Sequence, residues 1–281
     1  MGELLDGKIL SEKMNEETAR HLMQLKNRGI TPGLAVVLVG DDPASAVYVR
    51  NKEKACAAFG IVSRTIHLEA TVSQAEVERQ IDALNADASV HGILLQLPLP
   101  DSLNEKELLY RISPAKDVDG FHPVNCGLLW QGGKCVRPCT PSGIMYMLNQ
   151  TNIPLQGKHA VIIGRSNIVG KPMAALLLES GCTVTVCHSK TVDLPAITRT
   201  ADLIVAAVGK PRFVTADMVK PGAAVVDVGI NRVEGKLVGD VDFDAVRPIA
   251  SYITPVPGGV GKMTIAALMR NVVQLAEGSL L

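Results

Sequence analysis

The sequence is poor in aromatic residues, which fill only 3% of its 281 positions, and it has no excess of charge of either sign. Lysine plus arginine and aspartate plus glutamate both number 28. Few aromatics leave little material for the stacking platforms that bind single-stranded nucleic acid. A neutral balance provides no basic footprint for nucleic acid or for an anionic membrane. We therefore expect neither kind of partner.

Long apolar runs and paired cysteines are also missing. No stretch approaches the ~20 apolar residues of a membrane span, and the first residues lack the basic start and apolar run of a signal peptide. The six cysteines include no Cys-x-x-Cys pair, which favours reduced thiols in a cytoplasmic protein. Four residues close in sequence form a zinc hypothesis: His122, Cys126, Cys135 and Cys139. Their spacings match no common zinc motif, so we predict no metal.

Aliphatic residues are abundant and fall into short runs that alternate with helical patterns. The runs predict strands at residues 34–39, 61–67, 92–95, 160–163, 183–187, 203–206, 224–228 and 251–253. Strands and helices in alternation predict parallel βαβ units with right-handed crossovers. The fold class is therefore α/β, with two αβ domains and an active-site cleft between them.

Helical patterns are clear at several points between these strands. Residues 44–59 form one, and Val77, Ile81 and Leu84 stripe the next at helical spacing. Thr140 and Pro141 predict an N-cap and a first-turn proline. Residues 264–277 predict an amphipathic helix at the end of the chain.

A glycine turn follows the strand predicted at 160–163. Residues 161–172 read Val-Ile-Ile-Gly-Arg-Ser-Asn-Ile-Val-Gly-Lys-Pro, a strand that leads through a turn into a helix. The free N–H groups and positive dipole end of such a helix bind anions. Gly164 fits the first glycine of the dinucleotide fingerprint, but Ser166 and Val169 replace the others and Gly170 comes one place late. The pattern indicates a Rossmann-like second domain.

The end of the following strand favours NADP over NAD. An acidic residue at this point normally holds the ribose of NAD, whereas here the chain has Ser189 and Lys190, and Arg165 lies in the glycine turn. Hydroxyl and cationic donors suit a 2′-phosphate. The alternative is that these residues form only a polar turn and a surface charge.

Candidate proton-handling residues lie in the first half of the chain. Tyr48 and Lys52 are four residues apart and share one helix face; a lysine whose pKa is lowered can act as a base. Gln96 ends a strand, where open α/β sheets place ligands, and Asp119 lies in a loop. Alone, the first two could be a surface pair and Asp119 a turn residue. Short-chain dehydrogenases share the Tyr-x-x-x-Lys pattern but carry it after the dinucleotide turn.

Seven segments together resemble the bifunctional methylenetetrahydrofolate dehydrogenase/cyclohydrolase family. They occur in the family's order, span nearly the whole chain and comprise residues 39–45, 48–52, 92–100, 116–120, 164–172, 227–232 and 254–261. The resemblance implies hydride transfer from 5,10-methylenetetrahydrofolate to NADP⁺ and hydrolysis of the methenyl product to 10-formyltetrahydrofolate. One departure is Lys262, which stands where the family usually has a proline; it removes a rigid turn and adds a charge.

The same resemblance implies the site residues. Lys52 is the acid/base, Tyr48 stacks on the folate, Gln96 tunes Lys52, and Asp119 binds the pterin. The other implied substrate contacts are Leu95, Leu97, Pro257, Gly258, Gly259, Val260 and Gly261. The implied NADP contacts are Gly164, Arg165, Ser166, Ser189 and Ile230.

The family also implies a domain division and an assembly. Residues 1–137 are expected to form the folate-binding catalytic domain, residues 138–264 the NADP-binding domain, and the helix at 265–281 to pack back onto the first. A homodimer is expected. Two alternatives stay open: an NADP-dependent dehydrogenase of another small substrate or a monofunctional folate dehydrogenase, and a non-catalytic NADP-binding regulator. The four residues Tyr48, Lys52, Gln96 and Asp119 argue against the regulator, since NADP binding alone does not require them.

Overall fold

A computed structural model describes residues 2–278, except for the side chain of Ala44. Within these residues the strands are β1 (Glu3–Leu4), β2 (Gly33–Val39), β3 (Val62–Leu68), β4 (Gly92–Leu95), β5 (His159–Ile163), β6 (Thr183–Cys187), β7 (Leu203–Ala206), β8 (Ala224–Asp227), β9 (Asn231–Val233), β10 (Lys236–Val238) and β11 (Tyr252–Ile253).

The helices of the described residues alternate with most of these strands. They are α1 (Gly7–Asn27), α2 (Pro43–Phe59), α3 (Gln74–Ala86), α4 (Glu105–Arg111), α5 (Pro123–Trp130), α6 (Cys139–Leu148), α7 (Gly170–Glu179), α8 (Leu194–Thr198), α9 (Phe243–Val246) and α10 (Val260–Glu277). None of these helices has the length and apolar character needed to cross a membrane.

The chain divides into two compact units. One comprises the residues up to Lys13 together with Cys139–Ala266, and the other comprises Met14–Pro138 together with the residues from Ala267 on. We call them the six-stranded unit and the three-stranded unit after their sheets. The division falls close to the predicted boundary at 137/138, but the first 13 residues belong with the six-stranded unit.

The six-stranded sheet has the order β1-β11-β8-β7-β5-β6, and all its pairs are parallel. Strands β5, β7 and β8 are buried almost throughout, as expected for a parallel sheet that is covered on both faces. Ile163, Ile204 and Val225 belong to one continuous core cluster. The prediction of an α/β fold with a Rossmann-like parallel sheet is confirmed.

The three-stranded sheet is parallel and has the order β3-β2-β4. Strand β2 is buried at every position because it is the central strand. Val77, Ile81 and Leu84 of α3 are each fully buried against this sheet's core cluster. The helical stripe predicted at these three positions is therefore confirmed.

Several predicted element bounds need correction. Helix α6 begins at Cys139, so Thr140 is its second residue rather than its N-cap; its hydroxyl lies 2.9 Å from that of Thr264. Helix α10 begins at Val260, four residues before the predicted start. Strand β1 and the antiparallel pair β9–β10 were not predicted. These strands have only two or three residues, too few for a periodic pattern.

Candidate active site

Helix α2 places Tyr48 and Lys52 one turn apart. Asp42 caps the helix by accepting the N–H of Ser45 at 2.7 Å, and Pro43 occupies its first turn. Gly60 ends it in the left-handed conformation with φ 69°. Tyr48 is 43% exposed, whereas Lys52 is half-buried. The helix thus presents an open aromatic ring beside a partly desolvated amine.

Lys52 is bound to Gln96, which the sequence singled out independently. The Nζ of Lys52 donates to Oε1 of Gln96 at 2.8 Å. Gln96 follows the buried strand β4 and is itself only 8% exposed. Its Nε2 donates to the carbonyl of Leu97 at 2.6 Å, which leaves the amide oxygen facing the lysine. The glutamine therefore holds the amine in one place.

The loop that carries Asp119 is fixed by its neighbours. Buried Asp117 accepts the backbone N–H of His122 at 2.8 Å and the Nδ2 of Asn125 at 2.9 Å. Asn271 of α10 donates to the carbonyl of Val118 at 2.9 Å. Asp119 itself is half-buried. Sequence reasoning missed Asp117 and Asn271, because their role depends on contacts between segments distant in the chain.

Gly120 closes this loop and accepts no side chain. Its φ is 70°, and a Cβ there would lie 2.7 Å from the carbonyl oxygen of Val136. The local packing and backbone conformation thus require a glycine at position 120.

Two implied substrate contacts flank Gln96 in different settings. Leu95 is buried at the end of β4 and packs into the core cluster of this unit, so its side chain serves the core. Leu97 is half-buried and precedes Pro98 through a cis peptide bond. Of the two side chains, that of Leu97 is the more accessible to a ligand.

The described residues do not place the four zinc candidates as a set of metal ligands. Within residues 2–278 no group of three or more His, Cys, Asp and Glu side chains is placed to hold a metal ion. Two of the four candidates serve the backbone instead. The Nδ1 of His122 accepts the N–H of Val124 at 3.1 Å, and the thiol of Cys126 donates to the carbonyl of Gly120 at 3.6 Å.

The glycine turn between β5 and α7 needs both its glycines. Gly164 has φ 129°, and a Cβ there would overlap the carbonyl oxygen of Ala207. A Cβ on Gly170 would overlap the carbonyl oxygen of Gly164. The Oγ of Ser166 accepts the N–H groups of Val169 at 3.1 Å and Gly170 at 3.3 Å. The serine hydroxyl thus satisfies two backbone N–H groups at the start of α7.

Arg165 and Ser189 are both exposed, at the ends of two adjacent strands. Arg165 follows the first residue of the glycine turn, and β6 pairs with β5 in parallel so that Cys187 lies opposite Ile163. The turn after β6 is closed by Thr191, whose hydroxyl accepts the N–H of His188 at 2.8 Å. The two carboxyl ends therefore present a cationic and a hydroxyl donor at one edge of the sheet.

Ile230 lies in a turn between β8 and β9 and is 48% exposed. Two buried carboxylates, those of Asp227 and Asp240, lie beside the turn. Burial raises the pKa of Asp227 to about 6. Backbone N–H groups of Val241, Asp240 and Gly229 lower it in part, and the charge of Asp240 raises it further. The sequence alone did not indicate that either carboxylate supports the site, although Asp227 is the first residue of one of the seven segments that resemble the family.

The segment 257–261 is part loop and part helix. Pro257 follows a cis peptide bond, Gly258 has φ 107°, and Val260 and Gly261 already belong to α10. The carbonyl of Gly258 accepts the N–H of Gly7 at 2.9 Å. Lys262 is exposed and donates its backbone N–H to Gly259 at 3.1 Å, a bond that a proline could not make.

Two family models match this chain. Residues 5–119 match the catalytic domain of tetrahydrofolate dehydrogenase/cyclohydrolase, and residues 138–280 match its NAD(P)-binding domain. The chain belongs to the tetrahydrofolate dehydrogenase/cyclohydrolase family. The family resemblance seen in the motifs is thereby confirmed, as is the prediction of a dehydrogenase/cyclohydrolase that binds a nicotinamide cofactor.

Members of this family are similar to the chain over nearly its whole length. Bifunctional protein FolD of Halalkalibacterium halodurans is 55% identical over 274 residues, which cover 98% of each sequence. The crystal structure of FolD from Campylobacter jejuni is 55% identical, covers 100% of both chains and superposes with a TM-score of 0.97. The Trypanosoma brucei enzyme, solved with NADP cofactor and an inhibitor, is 38% identical, with a TM-score of 0.94 and coverage of 99% of this chain and 98% of its own.

Proposed function

We propose that this chain oxidises 5,10-methylenetetrahydrofolate to 5,10-methenyltetrahydrofolate with NADP⁺ and then hydrolyses the product to 10-formyltetrahydrofolate. The observation that carries the proposal is the Lys52–Gln96 hydrogen bond of 2.8 Å in a chain of this family. A half-buried lysine held by a buried amide is suited to proton transfer, and neither nucleotide binding nor folding alone requires it.

The glycine turn fits a dinucleotide. Gly164 and Gly170 let the turn pack tightly against the carbonyl oxygens of Ala207 and Gly164, and this turn leads into the start of α7, where a pyrophosphate can bind. Arg165, Ser166, Ser189 and Ile230 would complete the contacts, with Arg165 and Ser189 directed at the 2′-phosphate. NADP⁺, when bound, accepts the hydride of the folate methylene carbon.

The residues of the three-stranded unit orient the folate for this transfer. The exposed ring of Tyr48 offers a face on which the folate can stack, and the carboxylate of Asp119 accepts N–H groups of the pterin. Hydride transfer depends chiefly on orientation, since two rings must approach at the right distance. The segment 257–261 is proposed to contact the folate as well.

Hydrolysis adds a need for proton handling. Water adds to the methenyl carbon and gives one proton to the amine of Lys52. The bond from this carbon to N5 then breaks as N5 takes that proton back from Lys52, and the added hydroxyl releases its remaining proton to solvent as the formyl C=O forms. Gln96 keeps the Lys52 amine at the site of attack. We therefore assign Lys52 chiefly to the hydrolysis and not to the hydride transfer.

The decisive assay supplies purified protein with methylenetetrahydrofolate and either NADP⁺ or NAD⁺, and follows NADPH and methenyl absorbance separately. We expect turnover with NADP⁺ and loss of the methenyl signal as the product is hydrolysed. Persistent methenyl product would identify a monofunctional dehydrogenase. No turnover with either nucleotide would reject the proposal and leave a dehydrogenase of another small substrate, or a regulator.

Further parts of the proposal concern organisation and location. We propose that residues 1–137 with the C-terminal helix serve folate chemistry, although the residues up to Lys13 pack in the six-stranded unit, and that residues 138–264 bind NADP. We also propose a homodimer, a cytoplasmic location, and a supply of one-carbon units to purine and amino-acid biosynthesis, as the family resemblance implies. Sedimentation of the purified protein would test the dimer.

A further inference from the structure

Asp227 is tied to the backbone on both sides of the Ile230 turn. It is 3% exposed and ends strand β8. Its Oδ1 accepts the N–H of Gly229 at 2.9 Å and that of Asp240 at 2.8 Å, and its Oδ2 accepts the N–H of Val241 at 2.9 Å. One carboxylate therefore closes the loop formed by the turn and the hairpin β9–β10.

Asp240 strengthens the same closure from the other side. Its Oδ1 accepts from the Nδ2 of Asn231 at 2.9 Å, and its Oδ2 accepts the N–H of Gly209 at 2.9 Å. The packing leaves no slack: a Cβ on Gly229 would overlap the Asp240 carboxylate, and a Cβ on Gly239 would overlap that of Asp227. Ile230 thus lies on a closely packed turn that is hydrogen-bonded at both ends.

Asp227 is also joined to the segment that leads into 257–261. Its backbone N–H donates to the Oγ1 of Thr254 at 2.7 Å, and Thr254 is fully buried. Gly261 lies farther along this segment, beside Ile230. A Cβ added to Gly261 would lie 3.5 Å from the Cδ1 of Ile230. The turn with the implied cofactor contact and the segment with the implied folate contacts are therefore both joined to Asp227, and Ile230 lies beside Gly261.

We propose that Asp227 is a positioning residue that aligns the Ile230 turn with the segment 257–261, so that cofactor and folate contacts are set together. This inference rests on the proposed function. A carboxylate is needed because three backbone N–H groups converge on two oxygens. The amide of an asparagine would turn its own N–H₂ toward at least one of them, and backbone donors cannot rotate away.

The test is the kinetics of Asp227→Asn. We expect KM for NADP⁺ and KM for methylenetetrahydrofolate both to rise about tenfold, while kcat falls less than threefold. A purely structural role would reduce the folded fraction, which lowers apparent kcat and leaves both KM values unchanged. That result, or a rise in only one KM, would overturn the proposal.

The matched control is Asp244→Asn, which removes one exposed carboxylate of the same unit. Both KM values should stay within twofold of the parent enzyme. If the parent enzyme itself shows no turnover, the proposed function fails; if it turns over and Asp227→Asn shifts neither KM, only the positioning role fails.

A second variant decides the case if Asp227→Asn does not fold. Thr254→Val keeps the shape of the side chain but removes the hydroxyl that holds the 257–261 segment to Asp227. KM for the folate should rise severalfold. KM for NADP⁺ should not rise, because the three hydrogen bonds that the Asp227 carboxylate accepts remain. Thr254→Ser restores the hydroxyl and should restore KM. An unchanged folate KM in Thr254→Val would contradict the alignment role.

Discussion

The Lys52–Gln96 pair shows how much of the site is decided by single residues. The amide of Gln96 is itself oriented by the carbonyl of Leu97, so the lysine faces an oxygen and not an N–H₂ group. Such an arrangement limits the positions open to the amine and favours a defined proton path. Loss of the amine should therefore affect the reaction that moves protons more than the one that moves a hydride.

Lys52→Met should abolish hydrolysis of methenyltetrahydrofolate, with a rate loss of about 10²-fold or more, while the fold survives. Decay of methenyl absorbance measures the rate, and circular dichroism checks the fold. Lys54→Met is the matched control, because Lys54 is an exposed residue of the same helix. Undiminished hydrolysis by Lys52→Met would refute the assigned role.

A change at Arg165 tests whether the protein prefers NADP⁺ to NAD⁺. Arg165→Ala should weaken NADP⁺ at least tenfold, since it removes a charge-assisted contact to the 2′-phosphate, and should change NAD⁺ little. Titration calorimetry with both nucleotides measures the difference. The control is Arg199→Ala, which removes an exposed arginine at the end of α8. Equal losses for both nucleotides would count against a phosphate contact.

Among the elements, β8 and the hairpin β9–β10 illustrate a balance between burial and hydrogen bonding. The pKa of Asp227 is raised to about 6 because desolvation outweighs three backbone donors, and the nearby charge of Asp240 adds to the rise. A carboxyl group with a raised pKa binds its proton more tightly in the folded state than in the unfolded chain. Its contribution to stability is therefore greatest at low pH and is lost as pH rises through about 6.

The free energy of unfolding should show this loss. Relative to Asp227→Asn, the parent protein should lose on the order of 1 kcal/mol between pH 5 and pH 8. Urea unfolding of both proteins at the two pH values measures the difference. Subtracting the variant from the parent protein cancels the contributions of the titrating groups that the two share. A difference that stays constant, or one that grows with pH, would contradict the assignment of the raised pKa to Asp227.

At the scale of the whole molecule, the motifs divide between two compact units. Tyr48, Lys52, Gln96 and Asp119 lie in the three-stranded unit, whereas the glycine turn, Ser189, Ile230 and the segment 257–261 lie in the six-stranded unit. The cleft predicted between the two domains stays a prediction. Binding of the nucleotide to the folded protein should nevertheless be visible in the stability of the whole chain.

NADP⁺ at about 100 times its Kd should raise the free energy of unfolding by about 2.7 kcal/mol, because it binds the folded state alone. Thermal unfolding should then shift upward by roughly 5 to 10 °C. NAD⁺ at the same concentration serves as the control and should produce a smaller shift. Equal shifts with the two nucleotides would argue against selection of the 2′-phosphate.

Long, regular patterns determined most of what could be predicted. Buried strands such as β2 and β7 are continuous apolar runs, and the α3 stripe repeats with the helical period, so both can be recognised locally. The glycine turn and the Tyr48–Lys52 spacing were visible for the same reason. Short elements were not: β1 has two residues, and its partner β11 lies at the other end of the chain.

The sequence by itself determined the α/β class, the family and the chemical residue types, because strand periodicity, turn glycines and motif order are local properties. Only the tertiary structure decided which groups meet. It joined Lys52 to Gln96 across 44 positions, brought Asn271 to the loop of Asp119, and surrounded the Ile230 turn with Asp227 and Asp240. Such contacts depend on how buried polar groups find partners from distant segments once the core has formed, and no local pattern records that pairing.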